Sequence, residues 1–231
     1  MFNHLITISK FNKIFDFIIK PLSFLTFLVF IFGLSSALVF SPSDYQQAEL
    51  VRIMYIHVPS AWFSLSAYFL CALSGLSYLV WKNPLSAIFL KSLIPIGISF
   101  SLICLITGAI WGRPTWGVYW VWDARLTSVL ILFFLFIGLR LLINSSDDKE
   151  KSYKATSILA IFGSVNLPII KFSVDWWNTL HQPASLSKFE KPSLHPEILE
   201  PLLLMASFYL CLMLLIFLLK VKSELNSLVK R

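Results

Sequence analysis

Residues 22–40 read LSFLTFLVFIFGLSSALVF, 19 consecutive positions without one charged side chain. A helix rising about 1.5 Å per residue crosses the ~30 Å hydrocarbon core of a bilayer in roughly this length. The run also exceeds the ~7–15 apolar residues of a cleavable signal sequence. Lys10, Lys13 and Lys20 ahead of it therefore read as the flank of a retained first span.

Five further apolar runs follow, about Ala61–Trp81, Leu93–Ile110, Leu126–Ile143, Thr156–Ile170 and Leu202–Leu219. Backbone groups in lipid must be satisfied within the segment, so all six are expected to be helices. The predicted fold is all-α, a single six-span membrane domain over residues 1–231. Composition agrees, with 57% hydrophobic and 13% charged residues, too little polar surface for a soluble domain. The fifth run is the weakest. Asn166 and Pro168 predict a kink there, or an early end with Lys171 reaching outward.

The net charge of +7 does not require nucleic acid, because the basic residues sit between the apolar runs. Thirteen of the 19 Lys and Arg fall in the two tails, in the loop after the second run, and in the loop after the fourth counted together with Arg140 at that run's end. The other six are Arg52, Arg113, Arg125, Lys171, Lys188 and Lys191. The positive-inside rule then predicts both termini in the cytoplasm, or in the matrix of a mitochondrion. Three outer segments result, about Ser41–Ser60, Trp111–Arg125 and Lys171–Pro196.

The second of these is dense in aromatic rings: Trp111, Trp116, Tyr119, Trp120 and Trp122, with Gly112, Pro114 and Gly117 among them. An interfacial belt places one or two rings at each helix end, which leaves this density unexplained. A platform for a flat apolar ligand uses all of it, through stacking and area burial.

His57, in MYIHVPSAW (54–62), and His181, in DWWNTLHQP (175–183), lie on the other two outer segments. Either one alone reads as a hydrogen-bonding residue. Two imidazoles flanking an aromatic platform suit an iron porphyrin, which takes axial ligands from opposite sides. His195, in LHPE (194–197), lacks aromatic company, and His4 falls on the inner side. Asp123 and Arg125 either pair with each other at a helix start, beside Thr127 and Ser128, or serve the ligand. In the second reading Arg113 and Arg125 take the two carboxylates of a haem.

Other chemistries lack a signature. There is no Walker A loop, Rossmann glycine fingerprint or HExxH, and no chain of acidic residues within the spans. Cys71, Cys104 and Cys211 lie in apolar runs with no CxxC or CxxCH, which argues against a disulfide framework and covalently attached haem.

The segment WGVYWVWDARLTS (116–128), together with YIHVPSAW (55–62) and WWNTLHQPAS (176–185), resembles the tryptophan-rich WWD family of haem-handling proteins. Within it, the order of the motifs and the six spans resemble the branch known as protein C of cytochrome c maturation, or haem exporter protein C. The resemblance covers the chain outside its tails. It implies a b-type haem held non-covalently and transiently, with His57 and His181 as axial ligands and residues 111–125 as the haem-binding surface. It implies transfer of that haem to a membrane-anchored haem chaperone. The implied partners also include an ATP-binding-cassette ATPase, its membrane subunit and a small single-span protein. The implied location is the bacterial or mitochondrial inner membrane. Tyr119 departs from the family pattern, which carries Trp there, but keeps the stacking face.

Binding and orientation, rather than acid–base or nucleophilic chemistry, are what these residues support. The reading of a different class is a transporter moving haem or another substrate across the bilayer. Transporter sites lie near the midplane, whereas these residues gather at one face. An electron-transferring cytochrome b is the third reading, and it expects histidines within the spans.

Overall fold

The computed structural model describes residues 2–181 and 194–229, and among them the regular structure is helical throughout. The helices are α1 (Phe2–Ser35), α2 (Val51–Trp81), α3 (Pro84–Trp116), α4 (Ala124–Leu142), α5 (Lys149–Gly163), α6 (Asn166–Trp176) and α7 (Pro196–Val229). A π-helical turn, Ser36–Phe40, extends α1. Six candidate spans result among the described residues, with α5 and α6 together forming one. Lys188, Lys191, Lys230 and Arg231, all counted in the charge balance, lie outside the described residues.

Helices α1 and α7 run antiparallel along most of their length. Asn12 donates to Asn226 at 2.9 Å near one end, Lys222 pairs with Asp16, and Gly33 meets Met205 near the other. The two termini therefore share a face. The α2–α3 turn lies there too, since Lys91 of α3 pairs with Glu224 of α7 at 2.6 Å. Lys82, in that turn, pairs with Glu150 at the start of α5 at 3.2 Å. The opposite face carries the connections 41–50 and 117–123 and residues 177–181 after α6.

Both tight connections on the terminal face have local causes. Asn83 caps α3 by accepting from Leu85 N–H at 3.0 Å, and Pro84 fits the first helical position. Asp148 caps α5, accepting from Glu150 and Lys151. The expected kink in the fifth span is present as a break at Ser164–Val165. Pro168 sits in the first turn of α6, where its missing N–H costs nothing. The buried Asn166 donates to Ser128 O at 2.8 Å, tying α6 to α4. Helix α5 packs against both α2 and α4, and α6 stays against α4.

Two sequence-based boundaries are corrected. His57 was expected in a connection ahead of the second span, but α2 begins at Val51 and holds His57 in its second turn. One of the six candidate spans therefore does contain a histidine, a feature that the cytochrome b reading expects. Likewise α3 continues through Trp116, so only 117–123 of the aromatic segment is a connection. Helices of 31 and 33 residues are about 46 and 50 Å long, so their ends project well past the ~30 Å apolar core. Polar residues near helix ends lower the hydropathy without ending the helix.

Candidate functional site

At the connection-bearing end, α2, α3, α4, α6 and the start of α7 surround a cavity of about 360 Å³, within the range of small-molecule sites. Its walls are mostly apolar and include Trp62, Leu65, Leu105, Val129 and Leu202. The polar groups reaching it are few, and among them are His57, His181, Arg125 and Gln47.

Helical spacing aims these side chains. Met54, His57, Ala61 and Leu65 form one stripe on α2, and Cys104, Gly108, Trp111 and Thr115 form another on α3. The stripes approach so closely that a Cβ on Gly108 would lie 3.0 Å from Cε1 of His57. His57 Nδ1 lies 3.1 Å from Cys104 O and 3.2 Å from Thr107 Oγ1. A carbonyl only accepts, so Nδ1 carries the proton and Nε2 keeps its lone pair. Metal-ligating histidines are held in this way by a carbonyl behind the ring.

His181 follows α6 and brings its ring to 6.4 Å from that of His57, with the planes at 30°. Metal–nitrogen bonds of about 2.0 Å place two imidazoles on opposite sides of one metal roughly 6–6.5 Å apart, centre to centre. Trp111 stands edge-on to His57 at 5.7 Å, and Trp116 lies 6.3 Å from His181. Two residues 124 positions apart in sequence are thus framed by two tryptophans of a third segment.

The aromatic segment divides at Gly117, whose φ of +81° ends α3 with its N–H bonded to Arg113 O at 3.0 Å. Trp111, Trp116 and Trp120 line the cavity. Arg113, Tyr119, Trp122 and Asp123 do not. Arg113 donates to Gly117 O and lies 5.7 Å from the ring centre of Tyr119. Tyr119 and Trp122 are exposed, and Trp122 faces a second, more open hollow of about 330 Å³ between α4 and α6.

Asp123 and Arg125 do not pair with each other. Asp123 is the N-cap of α4, accepting from Leu126 N–H at 2.7 Å. Arg125 reaches across to α6 and the segment after it. It donates through Nε to Ser173 Oγ at 3.0 Å and through Nη2 to the carbonyls of Ile170 and Lys171 at 3.4 and 3.3 Å. Its Nη1 lies 3.4 Å from His181 Nδ1. His195, exposed at the start of α7, lies 3.8 Å from Glu197.

Sequence reading missed Gln47, Thr107 and Ser173. Gln47 is presented by an Asp44 turn, in which Asp44 Oδ1 accepts from Gln46 and Gln47 N–H. Its Oε1 accepts from Trp111 Nε1 at 2.9 Å. Arg52 anchors the same connection by donating to the carbonyls of Ala37, Leu38 and Ser41 and pairing with Glu49. Thr107 shares the α3 face with Cys104 and Trp111, so its helical spacing was the available signal. Gln47 and Ser173 carry no signal in the sequence.

Two buried polar atoms have no hydrogen-bond partner among the described residues that bears on this end of the bundle: Trp120 Nε1 and Asp123 Oδ2. Such orphans call for an explanation, and Trp120 lines the cavity. An apolar ligand with acid groups fits these walls, donors and imidazoles.

The fold defines a multi-pass helical membrane protein with a largely apolar cavity at the end away from its termini. The chain belongs to the heme exporter protein C family, whose sequence profile matches residues 1–231. It is 48% identical over 185 residues to the heme exporter protein C of Bradyrhizobium diazoefficiens, covering 80% of this chain and 70% of that one. It is 45% identical over 208 residues to that of Haemophilus influenzae, covering 90% and 85%. A Marchantia polymorpha protein named as a putative cytochrome c biosynthesis ccmC-like mitochondrial protein is 51% identical over 171 residues, covering 73% and 72%. The family handles haem for cytochrome c biogenesis. Six apolar helices and relatives in bacteria and mitochondria make this a multi-pass protein of the inner membrane.

Proposed function

We propose that the chain holds haem b, non-covalently and transiently, in the 360 Å³ cavity and passes it to a membrane-anchored haem chaperone of cytochrome c maturation. His57 and His181 serve as the axial ligands, Trp111, Trp116 and Trp120 supply apolar area, and Arg125 meets an acid group. The supporting observation is the His57–His181 separation of 6.4 Å inside a tryptophan-lined chamber. Among the described residues, no group of three or more His, Cys, Asp and Glu gathers as a bare metal ion would need. Two imidazoles suffice when a porphyrin fills the other positions.

In this reading the cavity end is the outer face and the termini lie in the cytoplasm or matrix, following the distribution of Lys and Arg. Tyr119 and Trp122, exposed outside the chamber, face an acceptor. An ATP-binding-cassette ATPase, its membrane subunit and a small single-span protein complete the assembly. The chain contributes binding and orientation to the haem's attachment elsewhere.

The test is haem transfer. Purified haem-loaded protein is mixed with the apo chaperone, and the spectra of the separated partners are recorded. Movement of haem to the chaperone is expected. Retention of haem beside the chaperone, together with haem uptake by sealed vesicles containing only this chain, would favour transport across the bilayer.

A further inference from the structure

The contact between Arg125 and His181 is at odds with metal ligation. A guanidinium only donates, so at 3.4 Å His181 Nδ1 is on the accepting side. The neutral ring then carries its proton on Nε2, and neither nitrogen can bind a metal. Nδ1 is occupied by the Arg125 N–H, and Nε2 has no lone pair to give. Whichever nitrogen ligates, Arg125 must first leave Nδ1. His57 is in the opposite condition, its Nδ1 bonded to Cys104 O and its Nε2 ready.

We infer, building on the proposed haem site, that the ligand's own carboxylates unlock His181: Arg125 exchanges His181 Nδ1 for a carboxylate of the incoming porphyrin, and only then does His181 become an axial ligand. Arg125 is placed for this exchange. It borders the cavity, while its bonds to Ser173 Oγ and to the carbonyls of Ile170 and Lys171 hold it to α6. A guanidinium–carboxylate pair is charge-assisted and bidentate, so it displaces a single long contact to a neutral imidazole. Once released, the His181 ring moves its one proton from Nε2 to Nδ1 without change of net charge, and the Nε2 lone pair forms the bond to iron. Order follows from this arrangement. His57 binds first, and the second ligand is reserved for a porphyrin that carries its acid groups. A flat apolar molecule without them occupies the chamber with His181 still held. Arg125 is therefore a positioning residue for His181 as well as a contact for the ligand.

The experiment compares iron protoporphyrin IX with its dimethyl ester, each added to the purified protein in detergent. Visible absorption and electron paramagnetic resonance report the coordination. The free acid is expected to give a six-coordinate, low-spin iron. The ester is expected to give the spectrum that the free acid gives in His181→Ala, with His57 as the only protein ligand. Arg125→Ala removes the lock, so acid and ester should then give the same six-coordinate spectrum. Should that variant fail to accumulate, the parent comparison decides alone. Six-coordinate spectra from both porphyrins in the parent would overturn this inference and leave the haem site standing. Absence of a Soret band with either would overturn the haem site and this inference with it.

Discussion

The imidazoles of His57, on α2, and His181, beyond α6, face one cavity with ring centres 6.4 Å apart and planes at 30°. No local pattern creates that pairing. It depends on α3 lying between them in sequence and behind them in space. Cys104 O fixes the His57 ring, and Trp111 and Trp116 stand against the two imidazoles. Beyond the α5–α6 break the chain stays against α4, where Arg125 gathers Ser173 and His181. Together these contacts bring two imidazoles to one apolar chamber, where Arg125 also occupies His181 Nδ1.

Removing iron should separate ligation from area burial. Iron-free protoporphyrin still gains from covering Trp111 and Trp116, but has nothing for the histidines to bind. Its affinity, followed by porphyrin fluorescence, is expected to be unchanged in His57→Ala. It should fall about tenfold in Trp111→Ala or Trp116→Ala, the scale of one partly covered aromatic ring, about 1.4 kcal/mol. Equal losses in the histidine and tryptophan variants would mean that the imidazoles act through shape rather than ligation.

Gln47 sets the indole of Trp111 through the 2.9 Å bond to its Nε1. In Gln47→Ala that N–H loses its partner, at a cost of about 1 kcal/mol. Haem affinity is expected to fall roughly fivefold while the axial coordination spectrum stays as in the parent. An unchanged affinity in a haem titration would remove Gln47 from the site.

Asn166→Leu tests the hinge. The buried bond to Ser128 O at 2.8 Å is the kind of interhelical contact worth about 0.6–2 kcal/mol in a bilayer protein. Thermal unfolding in detergent should shift down by several degrees. The His181 ligand should weaken with it, because α6 carries the segment that bears it. A lower midpoint with an intact six-coordinate spectrum would show that the hinge stabilises the bundle without aiming His181.

The spans were readable because lipid demands long apolar runs, and the first of them, residues 22–40, stands out without any context. The histidines and the tryptophan segment were also readable, as residue types too unusual to be packing alone. The ends of the helices were not. Arg52, His57 and Pro59 lower the hydropathy at the start of α2, yet the helix continues through them. The division of the aromatic segment was hidden as well, because the turn at Gly117 decides which rings point inward. Arg125 could be suspected of binding an acid group. Its hold on Ser173 and His181, 48 and 56 residues away, exists only once α4 and α6 have packed.

The most direct measurement is the visible and electron paramagnetic resonance spectrum of the purified protein with haem b, beside His57→Ala, His181→Ala and the double variant. Bis-imidazole coordination predicts a sharp low-spin spectrum in the parent. Each single variant should show a shifted spectrum with one ligand lost, and the double variant should lose most of its haem. A parent-like spectrum in the double variant would contradict the account, because the iron would then be held by something other than the two imidazoles that the fold brings together.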